Sequence, residues 1–313
     1  MALTAKRLRR KMAIAAKVET DYGVDAVPTG GANAIQVSDP TLTPLAGDEV
    51  RRDLILPYLG NQGALLVGDY AELQFSVEIA GAGTPGTAPA YGPLLRACSW
   101  AEVILAGTSV TYRLASDNPE SATVYVNIDG VRHALLGGRG TFTMSLTPKQ
   151  IPRFTFTLRG LFGPVTDTAL PAEVLTGFIR PAPVSKANTP VFSLHGYSAI
   201  AESLSIDLGN TVEARHLIGE ESIVITDRRA TGTAVIEAKS IATKNWFGIA
   251  QAGTPGALAV QHGTVAGNIV EIAAPKVQLG RPTYGETQGI TNYSLPLLLT
   301  PDTGDDELSI VVR

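Results

Sequence analysis

The stretch of this 313-residue chain that comes nearest to a chemical motif is Gly81-Ala82-Gly83-Thr84-Pro85-Gly86, a G-x-G-x-x-G run directly after an alternating segment ending at Ala80. In a dinucleotide-binding fold such glycines let a helix N-terminus approach a pyrophosphate, and an acidic residue about 20 positions later, here Glu102 by spacing, holds the ribose. Pro85, Pro89 and Pro93 stand where the phosphate-binding helix should begin, and no βαβ pattern flanks the run. A near copy, Gly253-Thr254-Pro255-Gly256, follows a helical stretch, so the composition reads as loop. Gly137-Gly138-Arg139-Gly140 lacks the Lys-Ser/Thr ending of a phosphate loop and reads as a turn between strands. His133, His195, His216 and His262 are scattered without H-x-x-x-H spacing or a cysteine partner, which predicts no metal site. Asp305-Asp306-Glu307 lacks the alternating oxygen ligands and central glycine of a calcium loop and reads as a solvated turn before a last strand, Leu308 to Val312. No serine sits in a G-x-S-x-G elbow, and Cys98, among Leu94 to Trp100, reads as a buried small hydrophobe. Neither enzymatic chemistry nor a cofactor is expected.

Charge narrows the classes further. Lys6-Arg7-Leu8-Arg9-Arg10-Lys11 is the one dense charge run; it suits nucleic acid, a membrane surface, a solvated helix face or an intersubunit arm. The formal net charge is -4, which provides no global basic surface for gripping DNA by counterion release. A single cysteine excludes an intramolecular disulfide framework. No stretch approaches the roughly 18 consecutive apolar residues that span a membrane as a helix, and Met12 to Ala16 is short for the apolar region of a signal peptide, so synthesis in the cytoplasm is expected.

The elements that carry these residues follow from hydrophobic period. Ala71, Leu73, Phe75, Val77 and Ile79 alternate with Tyr70, Glu72, Gln74, Ser76 and Glu78, the mark of a half-buried strand. Asp129-Gly130 between Thr123–Asn127 and Val131–Leu135 predicts a hairpin. Phe142, Met144 and Leu146, then Phe154, Phe156 and Leu158, predict two further strands. Thirty-two glycines and 20 prolines punctuate these runs, which points to a mainly β, antiparallel protein with short helices. Helices are expected within Leu3 to Val18, Gly92 to Ile104 and Ala242 to Gln251. After a Pro-rich passage the order of elements begins again. The strand Ala71 to Ile79 lies against Thr231 to Lys239, each ahead of a Trp-bearing helical stretch (Trp100, Trp246), and Ile151, Phe154, Phe156 and Leu158 correspond to Ile290, Tyr293, Leu295 and Leu297. A diverged duplication is the expectation: an N-terminal arm over 1–33, a first β domain over 34–170, a linker over 171–190 and a second β domain over 191–313.

Lys17-Val18-Glu19-Thr20-Asp21-Tyr22-Gly23, Val27-Pro28-Thr29-Gly30 and Asn33-Ala34-Ile35 resemble the N-terminal signature of tail tube proteins of Mu-like and related long-tailed phages. Val67-Gly68-Asp69-Tyr70-Ala71-Glu72 and Ala90-Tyr91-Gly92-Pro93-Leu94-Leu95-Arg96-Ala97 are similar to a strand and helix of the same proteins. The resemblance implies a β-sandwich or barrel-like tube domain with a helix packed on one side, present twice here, that builds stacked rings around a lumen. It implies a virion tail component assembled in the bacterial cytoplasm, with the tape measure, tail terminator and distal tail proteins as partners. Double-stranded DNA would pass without specific binding, and no membrane is involved. Two tube domains per chain favour a trimer with pseudo-sixfold symmetry over a hexamer. Lys6, Arg7, Arg9, Arg10, Lys11 and Tyr22 are the candidate intersubunit arm, and Glu72, Glu78 and Glu237 the candidate lumen residues. A capsid-associated or decoration protein is the alternative.

Overall fold

Strict alternation drives most of this chain into ladders. In the computed structural model, which describes residues 6–313, the strands are β1 (Met12–Val18), β2 (Ala34–Ile35), β3 (Ser38–Arg51), β4 (Ala64–Glu78), β5 (Trp100–Leu105), β6 (Ser109–Leu114), β7 (Ala122–Ile128), β8 (Val131–Leu146), β9 (Arg153–Asp167) and β10 (Val191–Leu194). They continue as β11 (Tyr197–Ser198), β12 (Ala201–Asp207), β13 (Asn210–Leu217), β14 (Glu220–Arg228), β15 (Thr231–Glu237), β16 (Gly256–His262), β17 (Val270–Leu279), β18 (Thr283–Thr287), β19 (Ile290–Thr300) and β20 (Ser309–Val312). Three short helices interrupt them: α1 (Gly30–Asn33), α2 (Gly92–Ala97) and α3 (Trp246–Ala252).

The pairings are antiparallel, and one ladder runs through both halves of the chain in the order β3-β4-β9-β8-β12-β15-β19-β18. Its inner face is apolar: Leu73, Phe75, Val77, Phe142, Met144, Phe154, Phe156, Leu204, Ile206, Ala234, Ile236, Leu295 and Leu297 are all buried. Four phenylalanines cluster beneath the first half, with Phe142 5.1 Å from Phe154 and 5.5 Å from Phe156, and Phe75 5.8 Å from Phe156. Such contacts add to the area each ring buries. A second layer covers this face. It is built from β2-β1-β7 with α2 in the first half, and from β11-β10-β16-β17 with α3 in the second. The C-terminal β20 ties the halves again by pairing with β17 on one side and β6 on the other.

Local chemistry accounts for the turns and caps. Asp129 and Gly130 adopt positive φ (36° and 99°), as a two-residue hairpin between β7 and β8 demands. Pro93 stands in the first turn of α2, and the N–H of Cys98 closes its last turn on the carbonyls of Leu94 and Leu95. The Asn245 side chain caps α3 by accepting from the N–H of Gly248, and left-handed Gly253 ends it.

Three expectations need correction. The segment expected as a helix from Leu3 to Val18 contains β1 at Met12–Val18, and its residues 3–5 lie outside the described residues. Ala-rich helix propensity loses there to a site between β7 and β2 that buries Ala13 through Ala16. The helix expected to reach Ile104 stops at Ala97, after which Trp100 opens β5. Gly137-Gly138-Arg139-Gly140, expected as a turn, lies inside β8, where the register against β9 shifts between Leu136 and Arg139. Gly137 has φ 59°, and a Cβ on Gly140 would stand 2.3 Å from the Thr157 carbonyl, so the glycines bend one long strand instead of separating two.

Between Asp167 and Val191 there is no strand. The segment is pinned to the first half through Val184, whose N–H donates to the Gln150 carbonyl (2.8 Å) and whose carbonyl accepts from the Lys149 N–H (2.9 Å).

Candidate assembly surface

The outer face of the shared ladder is polar across the halves. One row of neighbours reads Ser76, Thr155, Thr143, Asp207 and Thr231; the next reads Glu78, Arg153, Ser145, Ser205 and Thr233. Glu72, Glu78 and Glu237 all stand on this face, and each has a cation beside it. Glu72 accepts from Arg159 at 2.9 Å, Glu78 lies 3.7 Å from Arg153, and Glu237 pairs with Lys239. These pairs leave a hydroxyl-rich wall with its charges largely matched. Surface pairs of this kind contribute little stability, so their main consequence is the field above the wall.

At one end of the wall the hairpin β13–β14 leaves the second half and lies across β8, β9 and β4 of the first. Two arginines on the first half hold it by its backbone. Arg159 Nη1 donates to the Val212 carbonyl (2.7 Å), and Arg139 Nη1 donates to the Ile223 carbonyl (2.9 Å) while Nη2 donates to Pro119 (2.7 Å). Asn210, at the root of the hairpin, is buried and its Nδ2 donates to the carbonyls of Cys98 and Gly140, both at 2.9 Å.

Tyr22 belongs to this seam. Its hydroxyl accepts from the Ile223 N–H (2.5 Å), the Arg139 guanidinium lies 4.7 Å from its ring centroid, and burial raises its pKa above the usual tyrosine value. Nearby Glu19 accepts from the hydroxyls of Ser121 (2.6 Å) and Thr123 (2.8 Å) and from the N–H groups of Gly137 (2.8 Å) and Gly23 (2.9 Å). Those contacts give Glu19, Tyr22 and Gly23 of the N-terminal signature a physical task. Of the basic run, Arg7 binds the carbonyls of Ile128 and Asp129, and the Asp129 carboxylate accepts from the Leu8 N–H (2.5 Å). Lys6, Arg9, Arg10 and Lys11 are exposed.

The residues considered for catalysis are engaged in packing. Gly81 and Gly83 fit a turn of the second half: the Gly81 N–H donates to Asn268 Oδ1 and the Gly83 N–H to the Gly267 carbonyl, both at 2.9 Å. A Cβ on Gly81 would meet the Gly267 carbonyl at 2.0 Å, so the close approach of the two backbones requires glycine there. Glu102 takes the Tyr112 hydroxyl at 2.5 Å. Asp305 and Glu307 receive Arg228 at 2.8 and 2.6 Å, tying the base of β14 to the turn before β20. Among the described residues no group of three or more His, Cys, Asp or Glu side chains converges as a metal would require.

The sheet shared by the two halves is apolar on one face and polar on the other, and one hairpin of the second half lies on the first. The family model for phage tail tube protein matches residues 9–297. This chain belongs to that family. Comparison with individual curated proteins gives no match. Membership makes the chain a structural component of a phage tail and implies a non-enzymatic role. Its mainly β, antiparallel architecture agrees with the family, and among the described residues no helix is long and apolar enough to cross a membrane. Arg139 and Arg159 escaped the sequence reading. Their only signal is an arginine at an outward position in strands whose other outward residues are mostly Ser and Thr.

Proposed function

We propose that this chain polymerises into rings of three copies with pseudo-sixfold symmetry, and that stacked rings form the conduit for DNA in the virion tail. The observation that carries this reading is the ladder that crosses both halves without a break, apolar behind and hydroxyl-lined in front. In this reading residues 34–170 and 191–313 are two copies of one tube domain, bridged by 171–190, and the Ser/Thr wall faces the lumen. Matched glutamate and arginine pairs suit a passing duplex, because a wall of unpaired cations would hold phosphates by counterion release and stall them. Assembly takes place in the host cytoplasm, with the tape measure, terminator and distal tail proteins completing the tail. Electron microscopy of the purified protein, first in negative stain and then as a reconstruction, tests the reading: three chains per ring are expected, both halves of each lining the bore. Six chains per ring with one half of each at the bore, or shells in place of tubes, overturn it.

A further inference from the structure

The seam inside one chain contains the pattern for the seam between chains, an inference that rests on the ring reading above. The ladder positions of the two halves correspond residue by residue. Phe75 pairs with Phe156 and Val77 with Phe154 in the first half, as Ala234 pairs with Leu295 and Ile236 with Tyr293 in the second. Leu42 opposite Leu73 matches Ile206 opposite Gly232, and Met144 opposite Phe154 matches Tyr284 opposite Tyr293. By this correspondence β12 is the counterpart of β3, and β18 is the counterpart of the end of β8.

Within the chain, β12 covers the edge of β8, with Ile206 opposite Met144 and Asp207 opposite Thr143. The counterpart strands have no such cover. Among the described residues β18 is laddered to β19 alone and β3 to β4 alone. Met144 is fully buried beneath β12, whereas its counterpart Tyr284 is 67% exposed even though it stacks on Tyr293 and Phe247. We propose that β3 of one copy pairs antiparallel with the β18 edge of the next, setting Leu42 opposite Tyr284 and Thr43 opposite Thr283. Pro40 and Pro44, which lack N–H donors, bracket the pairing stretch and restrict it to a short ladder like that of β12 on β8.

The hairpin beyond the edge obeys the same correspondence. Where β13–β14 lies on the arginines of the first half, the distal part of β3–β4 would lie on the outer face of β15 and β19 in the next copy. The seat there differs in kind: the position of Arg159 is held by Leu298, which is 43% exposed. The hairpin differs to match, since Leu45, Val50, Leu65 and Leu66 are all exposed along it. Leu298 would thus meet exposed leucines of the hairpin, where the counterpart position inside the chain sets an arginine against a backbone carbonyl.

Cysteines introduced at Thr43 and Thr283 in the full-length protein test the register. Residues directly opposite in such a ladder have Cα atoms about 4.5–5.5 Å apart, within disulfide reach, and native Cys98 is fully buried and does not compete. Under mild oxidation of assembled rings, Thr43→Cys with Thr283→Cys should link most chains into a species that stops at three. Thr43→Cys with Thr287→Cys, displaced by about 13 Å along the strand, should link at least ten-fold less. Intact rings in which the first pair fails to link, or links no better than the second, overturn the junction while leaving the ring reading in place. Efficient linking that closes at six chains supports the junction and overturns the three-chain ring. Absence of rings in the unmodified protein overturns both.

Discussion

Two hairpins leave the shared sheet, and they end differently. The β13–β14 hairpin is seated: Arg139, Arg159, Asn210 and Tyr22 satisfy its backbone and root. The β3–β4 hairpin projects its tip into solvent, with Ile55 and Leu59 fully exposed and Tyr58 about two-thirds so. Isolated exposed leucines are ordinary on protein surfaces, but a contiguous apolar finger marks a binding surface. The difference teaches that the molecule uses one device twice, once to hold its own halves together and once, on our reading, to hold a neighbour.

The sharpest way to break that comparison is to strip the free hairpin of its apolar tip. Ile55→Ser with Leu59→Ser is expected to cut ring formation by ten-fold or more, scored by sedimentation and microscopy. The unfolding free energy from urea denaturation should stay within about 0.5 kcal/mol of the parent, since both side chains are fully exposed. Normal rings from this variant would mean that the tip binds nothing of its own kind.

Loosening the seated hairpin should do the opposite. Asn210→Ala leaves the buried carbonyls of Cys98 and Gly140 without their donor, a loss of about 1–3 kcal/mol readable in denaturant unfolding. A neutral Asn210→Ala would show that the root of the hairpin is held by packing alone.

Smallest is the response of the seam to alkali. Burial raises the Tyr22 pKa above its ordinary value near 10, so the folded chain holds that proton more tightly than the unfolded one. The stability this provides is complete below pH 10 and falls as pH rises through the folded value. Tyr22→Phe should therefore flatten part of the decline in melting temperature between pH 9 and 11. An unchanged slope would remove Tyr22 from the seam's energetics.

Much of the fold was legible because its signal is local. The alternation of Ala71 to Ile79, the Asp129-Gly130 turn and the alignment of Phe154 and Phe156 with Tyr293 and Leu295 reappear in β4, the β7–β8 turn and the β4–β9 and β15–β19 ladders. The wall was legible in the same way, since Glu72, Glu78 and Glu237 share one outward face. What sequence patterning missed depends on neighbours far along the chain. The segment before Val18 is helical by composition and became a strand because β7 and β2 offered it a slot. Gly137 and Gly138 look like a turn in isolation and became a bend because β9 runs past them on one side.

Side-chain order and period, then, sufficed by themselves for the class of fold and the polarity of each face, because those follow from which residues flee water two positions apart. Only the tertiary structure decided which edge is covered and which is open. That choice depends on where β12 and β8 meet in space, some 60 residues apart in sequence, and on a loop-closure cost that no local pattern records. The same chemistry that makes Ile206 a buried residue over Met144 leaves Tyr284 exposed, because among the described residues no strand pairs with the outer edge of β18.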